Sequence, residues 1–160
     1  MPAPDFRPSD APLFDHAVDL VETPAIVRGE WGGAFEQRAS RADLIAVVRV
    51  SSLSADFISR RSAYRLTLKV KDRLKGTAPK ELVLRVGDDE PGYESVLVNE
   101  DRLLHNPFVV FIKWAADPES GELIAHWHLS PDSDGVREKI DYVLAHPMKD
   151  ARTAVEVVEQ

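Results

Sequence analysis

The chain of 160 residues contains no cysteine. This absence excludes disulfide bonds, zinc–thiolate sites and cysteine nucleophiles. The chain also lacks any run of about eighteen apolar residues, so the sequence predicts no membrane-spanning helix. Its first residues, MPAPDFRPSD, have no apolar stretch of the kind that a signal peptide carries. The sequence leaves the location unknown, and a periplasmic, membrane-anchored or secreted location is favoured if a leader has been removed.

The motifs of the common enzyme classes are missing as well. No GxSxG, P-loop, GxGxxG or HExxH pattern occurs, and no serine has the neighbours of a nucleophile. A pair of carboxylates for hydrolysis needs no local motif, so the sequence leaves that option open. We therefore expect a protein that is not an enzyme and that carries no cofactor.

Acidic residues outnumber basic ones, 27 to 20, and the formal net charge is −7. The whole protein is therefore not expected to attract nucleic acid or an anionic membrane, and only a local patch could do so. The length suits one domain. Four prolines in the first twelve residues predict a flexible arm or tether over 1–12. One domain is expected over 13–146, and a C-terminal tail over 147–160.

Residues 62–76 carry the clearest pattern in the chain. Apolar side chains alternate with charged ones at period two, which predicts a strand with one buried and one exposed face. The apolar face holds Tyr64, Leu66, Leu68, Val70 and Leu74. The opposite, basic face holds Arg65, Lys69, Lys71, Arg73 and Lys75, which Arg85 of the next strand could join.

Further patterns predict the rest of the fold. Strands are expected over 44–50, 64–75, 82–86, 108–114 and 123–129, with Leu66, Leu68, Leu84, Val110 and Ile112 in the core. The first strand is apolar until Arg49, which predicts a central strand covered on both faces. Helices are expected near 11–21, 34–42 and 136–144, and a polar connection over 52–61. Residues 93–104 fit a short strand or a helix equally well.

The order of the segments ADLIAVVRV, YRLTLKVKDRLKG, KELVLRV and NPFVVFIKW resembles the netrin-like group of OB-fold domains, which includes the tissue inhibitors of metalloproteinases. The resemblance covers about residues 42–129 and is a pattern of strand types. It implies a mainly β (α+β) fold, a five-stranded OB-like Greek-key barrel with short N-terminal and C-terminal helices, which binds other molecules outside the cytoplasm. Those inhibitors bind the protease metal through an N-terminal cysteine, which this chain lacks, so that function does not carry over.

The basic face indicates a docking surface for an acidic protein partner. Together with what the resemblance implies, it leads us to expect a non-catalytic protein-interaction module of the cell envelope or secreted space. The plainer interpretation is a sheet surface that lysines protect from aggregation. The alternative function is an OB-fold that binds nucleic acid or an anionic glycan through the same face. Nucleic-acid OB-folds stack bases on exposed aromatics, whereas Tyr64, Phe108 and Trp127 are expected to be buried, so we expect no nucleic-acid partner.

Two histidines, His126 and His128, flank Trp127 on a predicted strand and share one of its faces. Such a pair is a weak candidate for a metal site and for a metal-dependent enzyme, the second alternative, with Asp132, Asp134 or His105 as a third ligand. We expect instead a half-exposed pair without metal. Asp88, Asp89 and Glu90 are expected to form a solvated loop tip, and residues 132–135 a turn that caps the next helix.

Overall fold

A six-stranded sheet, curled into a half-barrel, organises the molecule. The structure is a computed structural model that describes residues 4–21, 33–58 and 61–146. The strand order is β1-β6-β5-β2-β3-β4, and neighbours are antiparallel except for the parallel pair β1 and β6. The strands are β1 Ala17–Val18, β2 Leu44–Ile58, β3 Arg61–Lys75, β4 Glu81–Gly87, β5 Pro107–Ala116 and β6 Leu123–Pro131.

The helices of the described residues are short. They are a 3₁₀ turn at Pro8–Asp10, α1 Ala34–Arg41, α2 Gly92–Val98, α3 Glu100–His105 and α4 Asp134–Ala145. Ser133 Oγ accepts a hydrogen bond from the Val136 N–H at 3.3 Å, which confirms the predicted cap before α4. The segment over 93–104 is helical. Within the described ranges, every helix is too short or too polar to cross a membrane.

Two hydrophobic cores lie on the two faces of the sheet. The first, inside the curl, contains all five predicted core residues, each at most 1% exposed: Leu66, Leu68, Leu84, Val110 and Ile112. The second contains Ile45, Val47 and Phe111 of the sheet, packed against α1, α4 and the segment at Leu13 and Phe14. The prediction that residues 44–50 form a central strand covered on both faces is therefore confirmed.

The mainly β class is confirmed, but the predicted number of five strands is wrong. The sixth strand, β1, lies where the sequence predicted a helix over 11–21. The His16 N–H donates to Trp127 O and the Asp19 N–H to Leu129 O, both at 2.8 Å. Extended chain can direct Phe14 into the second core and Val18 into the first, whereas a helix would present both to one side.

The predicted connection over 52–61 is also wrong, because β2 continues to Ile58 and β3 begins at Arg61. Cross-strand pairing runs without a break from Leu53 opposite Leu66 to Ile58 opposite Arg61. Polar residues at 52, 54 and 56 alternate with Leu53, which packs against the first core. Such alternation is typical of a strand with one solvated face. The polar residues of this segment therefore indicate an exposed strand face rather than a loop.

Two bulges break the alternation of β3. The pairing passes from Val48 opposite Val70 to Val47 opposite Asp72, so it skips Lys71, and a second shift skips Leu74. Each extra residue reverses the face on which the following side chains lie. Leu74 consequently packs against the second core, which corrects the prediction that it shares a face with Leu66 and Leu68.

The two edges of the sheet approach each other. Trp127 of β6 donates its indole N–H to Arg85 O of β4 at 2.9 Å. At the start of α2, a Cβ added to Gly92 would lie 1.9 Å from His16 O, so only glycine allows this contact. The loop after β4 therefore brings α2 against β1, and residues from both edges meet there.

Candidate functional site: a basic sheet face and a histidine cluster

The outer surface of β2, β3 and β4 carries four exposed cations, which we call the basic sheet face: Arg49, Arg65, Lys69 and Arg85. Register brings them together, because residues directly opposite one another project from the same face. Arg65 lies opposite Arg85, and Lys69 lies opposite Arg49. Thr67 and Val83, also opposite each other, separate the two charged rows.

No ion pair within 4.0 Å neutralises these four side chains among the residues that the structure describes. Arg65 Nε donates only to Ser54 Oγ at 3.3 Å, and Arg49 Nη1 only to His105 O at 3.4 Å. Like charges directly opposite each other on a sheet are destabilising. The face therefore concentrates four cations without a described ion pair, and the one acidic residue opposite them is Glu81, which faces Lys69 at the margin of the face.

The structure divides the cations that the sequence placed on one face. Arg65, Lys69 and Arg85 lie on the basic sheet face. Lys71 lies in a bulge, and Arg73 pairs with Ala46, whose side chain belongs to the first core, so Arg73 projects toward that face. The predicted single face of five cations is therefore wrong at Lys71 and Arg73, where the bulges interrupt and reverse the side-chain direction.

Lys75 has a structural role of its own. Its Nζ donates to Ala39 O at 3.3 Å and to Ser40 O at 2.8 Å, in the last turn of α1. A cation there satisfies free carbonyls and opposes the negative end of the helix dipole. Burial lowers the pKa of Lys75. Arg49 replaces it on the basic sheet face, and its signal in the sequence was the first charge in an otherwise apolar strand.

A second concentration of polar groups, the histidine cluster, surrounds β1. It consists of His16, His126 and His128 with the carboxylates of Asp15, Asp19 and Glu90. Asp15 and Asp19 lie four residues apart in the extended segment, on the two sides of His128. Asp15 Oδ1 is 2.8 Å from His128 Nδ1, and Asp19 Oδ2 is 2.8 Å from His128 Nε2.

His128 is only 3% exposed, which corrects the prediction of a half-exposed pair on the outer sheet face. The reason is the unpredicted strand β1, whose Ala17 lies opposite His128 and covers it. Burial alone would raise the pKa of Asp15, but the hydrogen bond and the attraction to His128, with smaller contributions from a backbone N–H and Arg38, together hold the pKa below its ordinary value.

His16 and His126 form the other half of the cluster. Their rings stack with centroids 5.0 Å apart, and Phe6 stacks on His126 at 4.4 Å. Burial, followed by the neighbouring His16, lowers the pKa of His126. His16 has a φ of 57°, in the left-handed region that is strained for a non-glycine residue. Its Nε2 is buried without a hydrogen-bond partner among the described residues.

The predicted acidic loop divides between two surroundings. Asp88 and Asp89 lie 3.5 and 3.1 Å from the Arg61 guanidinium. Glu90 contacts His16 Nδ1 and accepts the Gly87 N–H at 2.8 Å. Burial would raise the pKa of Glu90, but these hydrogen bonds and the attraction of His16 and His126 together outweigh burial and lower it. Glu90 is thus part of the histidine cluster and not of a solvated tip.

Metal coordination finds no support in this arrangement. His126 stacks between two rings, while both nitrogens of His128 face carboxylates. Two of the three suggested third ligands have other partners, since His105 Nδ1 lies 2.7 Å from Asp101 O and Asp132 accepts from Arg137 Nε at 2.6 Å. Across the described ranges, no group of three or more His, Asp or Glu side chains is arranged so that it could hold a metal ion.

Comparison with known proteins found no protein-family model and no curated protein that matches the chain. The fold places the chain in the mainly β class, with a curled six-stranded half-barrel sheet. The features of the molecule that bear on its function are the basic sheet face and the histidine cluster.

Proposed function

We propose that the chain is a non-catalytic protein-interaction module of the cell envelope or secreted space, and that it binds an acidic protein through the basic sheet face. One observation carries the proposal. Arg65 and Arg85 are exposed and directly opposite each other, and no described carboxylate lies within ion-pair distance of either. A partner that places a carboxylate between them removes this repulsion and gains charge-assisted hydrogen bonds.

The patch acts locally in a protein whose net charge is −7. Exposed charges interact over about 8 Å at physiological ionic strength, so a partner close to the face experiences the cations more than the distant acidic residues. Such complementarity mainly accelerates encounter and selects the partner. Association is therefore expected to slow as salt is added.

Among the described residues, the basic sheet face presents no exposed aromatic side chain, which favours a protein over a nucleic acid. Thr67 and Val83 occupy the space between the charged rows. The large aromatic Trp127 is fully buried, and Tyr64 is 7% exposed. Phe57 is 73% exposed, but its register opposite Ser62, two residues from the Ala55–Tyr64 pair, places it on the opposite face. Sequence-tolerant binding of single strands relies on such aromatics beside the cations.

The finer assignment to a netrin-like OB-fold domain is also a proposal. A sheet that curls until Trp127 of β6 reaches Arg85 of β4 supports a barrel-like fold. The sixth strand is a departure from the five-stranded pattern. An experimental structure with the strand connections of an OB-fold would establish the resemblance, and any other topology would remove it.

The proposed function is tested with two charge-reversal variants that change the net charge equally. One carries Arg65→Glu and Arg85→Glu on the basic sheet face; the other carries Lys71→Glu and Arg73→Glu outside it. Each serves as bait in extracts of the source organism treated with nuclease, at low and high salt. A photo-cross-linking residue at Thr67, with Asp141 of α4 as the control position, identifies what touches the face.

We expect Thr67 to cross-link to an acidic protein, with recovery that falls at high salt and in the Arg65/Arg85 variant only. Equal recovery by both folded variants would show that the face does not select the partner. Cross-linking to nucleic acid or to an anionic glycan would replace the proposal by the alternative function.

A further inference from the structure

Strand β4 is the edge strand of the sheet. The N–H and C=O groups of its successive residues point alternately toward β3 and away from it. Lys80 O accepts from the Val70 N–H at 2.9 Å, and the Asp88 N–H donates to Ser62 O at 3.1 Å, so even-numbered positions face β3. Odd-numbered positions face away. Arg85 O accepts from Trp127 at 2.9 Å, and the Gly87 N–H donates to Glu90 at 2.8 Å.

This alternation leaves one short stretch of edge. The N–H and C=O groups of Glu81 and Val83 and the N–H of Arg85 point outward, and none has a hydrogen-bond partner in the described part of the chain. Val83 is 51% exposed. Exposed strand edges bind extended peptides through the backbone, and alternate side chains then provide specificity.

We infer that the acidic partner binds as an extended strand added to β4 along Glu81–Arg85. This inference rests on the proposed function and deepens it. An added strand lies about 4.8 Å from β4, so every second side chain projects from the basic sheet face beside Val83 and Arg85. The intervening side chains lie beside Leu82 and Leu84, at the margin of the first core.

The geometry therefore specifies a segment in which acidic residues alternate with apolar ones. Its carboxylates reach Arg85 and, across the row, Arg65. Glu81 repels an acid placed opposite it, and the indole of Trp127 occupies Arg85 O at the other end. These two features limit the paired stretch and set its register.

The probe is a synthetic peptide of about six residues, the usual strand length, in which glutamate alternates with valine. A twin peptide carries backbone N-methyl groups at every second position, with unchanged charge. Binding is measured by isothermal titration calorimetry at low salt. Two variants accompany it: Val83→Pro, which removes an outward N–H and no bond to β3, and Val83→Ala, which keeps that N–H.

We expect the peptide to bind wild type and Val83→Ala equally, and to bind Val83→Pro about tenfold more weakly because backbone hydrogen bonds are lost. The N-methylated twin should lose affinity for wild type to the same degree. This second comparison leaves the protein unaltered, so it tests strand addition even if Val83→Pro fails to fold.

Equal binding of the N-methylated twin, or no binding of the parent peptide, overturns strand addition. If the Arg65/Arg85 reversal also leaves peptide binding and partner capture unchanged, the proposed function fails as well. Heparin or an oligonucleotide that displaces the peptide, and retains equal affinity for Val83→Pro, would indicate binding to charge alone. A dimer that pairs β4 with β4 and excludes the peptide would contradict an acidic partner strand.

Discussion

The basic sheet face and the histidine cluster differ in how their charged groups are exposed and paired. On the face, Arg65 and Arg85 are exposed, lie opposite each other and have no described carboxylate partner. In the cluster, His128 is buried between two carboxylates at 2.8 Å each. Water screens the first arrangement, which therefore costs little stability. Burial makes the second depend on complete pairing, because an unpaired charge there is far more costly.

The comparison predicts that the cluster is needed for the fold and that the face is available for binding. The variants below are ordered by expected loss of stability. Each reports the free energy of unfolding from urea denaturation, with peptide binding to the basic sheet face as a second measurement.

Gly92→Ala is expected to have the largest effect. The added Cβ would lie 1.9 Å from His16 O, so α2 or β1 must move. We expect a loss of about 3 kcal/mol or more, typical of a forced backbone displacement. Gly33→Ala at the start of α1 is the matched control, because its Cβ meets Glu36 at an ordinary 3.5 Å. A loss below about 1 kcal/mol in both variants would contradict the close contact between α2 and β1.

His128→Ala follows. The substitution leaves Asp15 and Asp19 facing each other without the ring between them. Breaking a buried pair costs about 3–5 kcal/mol, but the two carboxylates are partly solvated, so we expect about 2 kcal/mol. Ser130→Ala on the same strand removes only a 3.4 Å contact with Asp19 and should cost less than half as much. Equal losses would mean that the contacts of His128 with Asp15 and Asp19 contribute no more to stability than the serine contact does.

The pH dependence of stability isolates His126. Its pKa is lowered from 6.5 by burial and by His16, so the folded state resists protonation that the unfolded state accepts. Its contribution is complete above pH 6.5 and falls on acidification below that value, until the folded pKa is passed. His126→Phe keeps the stacking on Phe6 but cannot titrate. We expect it to flatten the stability profile just below pH 6.5, and an unchanged slope would assign that titration elsewhere.

At lower pH a second loss should appear. Asp15 and Glu90 have pKa values below their ordinary 3.8 and 4.5, so each stabilises the fold above those values and loses its contribution as the pH falls through the folded pKa. In the Asp15→Asn variant the contribution of Asp15 is already missing before the pH is lowered, because the amide does not titrate. Its curve should approach that of wild type at the acid end, and a constant difference throughout would contradict the assignment.

The smallest effect is expected for the face. Arg65→Glu with Arg85→Glu should change the free energy of unfolding by no more than about 0.5 kcal/mol, as exposed substitutions usually do. Peptide binding should nevertheless disappear. A large loss of stability in this variant would remove the contrast between the two regions, because it would give the exposed charges a structural role.

Local periodicity was sufficient to predict the five longer strands and the core at Leu66, Leu68 and Leu84. In a strand with one buried face, apolar and polar residues alternate along the chain, so the sequence itself shows the period. The basic sheet face was partly predicted for the same reason, through Arg65, Lys69 and Arg85. The sequence did not predict that β2 continues from 52 to 58, because serines are frequent both in loops and on exposed strand faces.

Tertiary structure decided the remainder. Segment 15–19 has no strand period of its own, and it is extended because β6 supplies hydrogen-bond partners about 110 residues away along the chain. That pairing also brings Asp15 and Asp19 to His128, which no local spacing indicates. The bulges at Lys71 and Leu74 depend on fitting β3 to the central strand β2, and they send Arg73 away from Arg65. Contacts between distant segments thus determine which charges are paired and buried and which stay exposed for a partner.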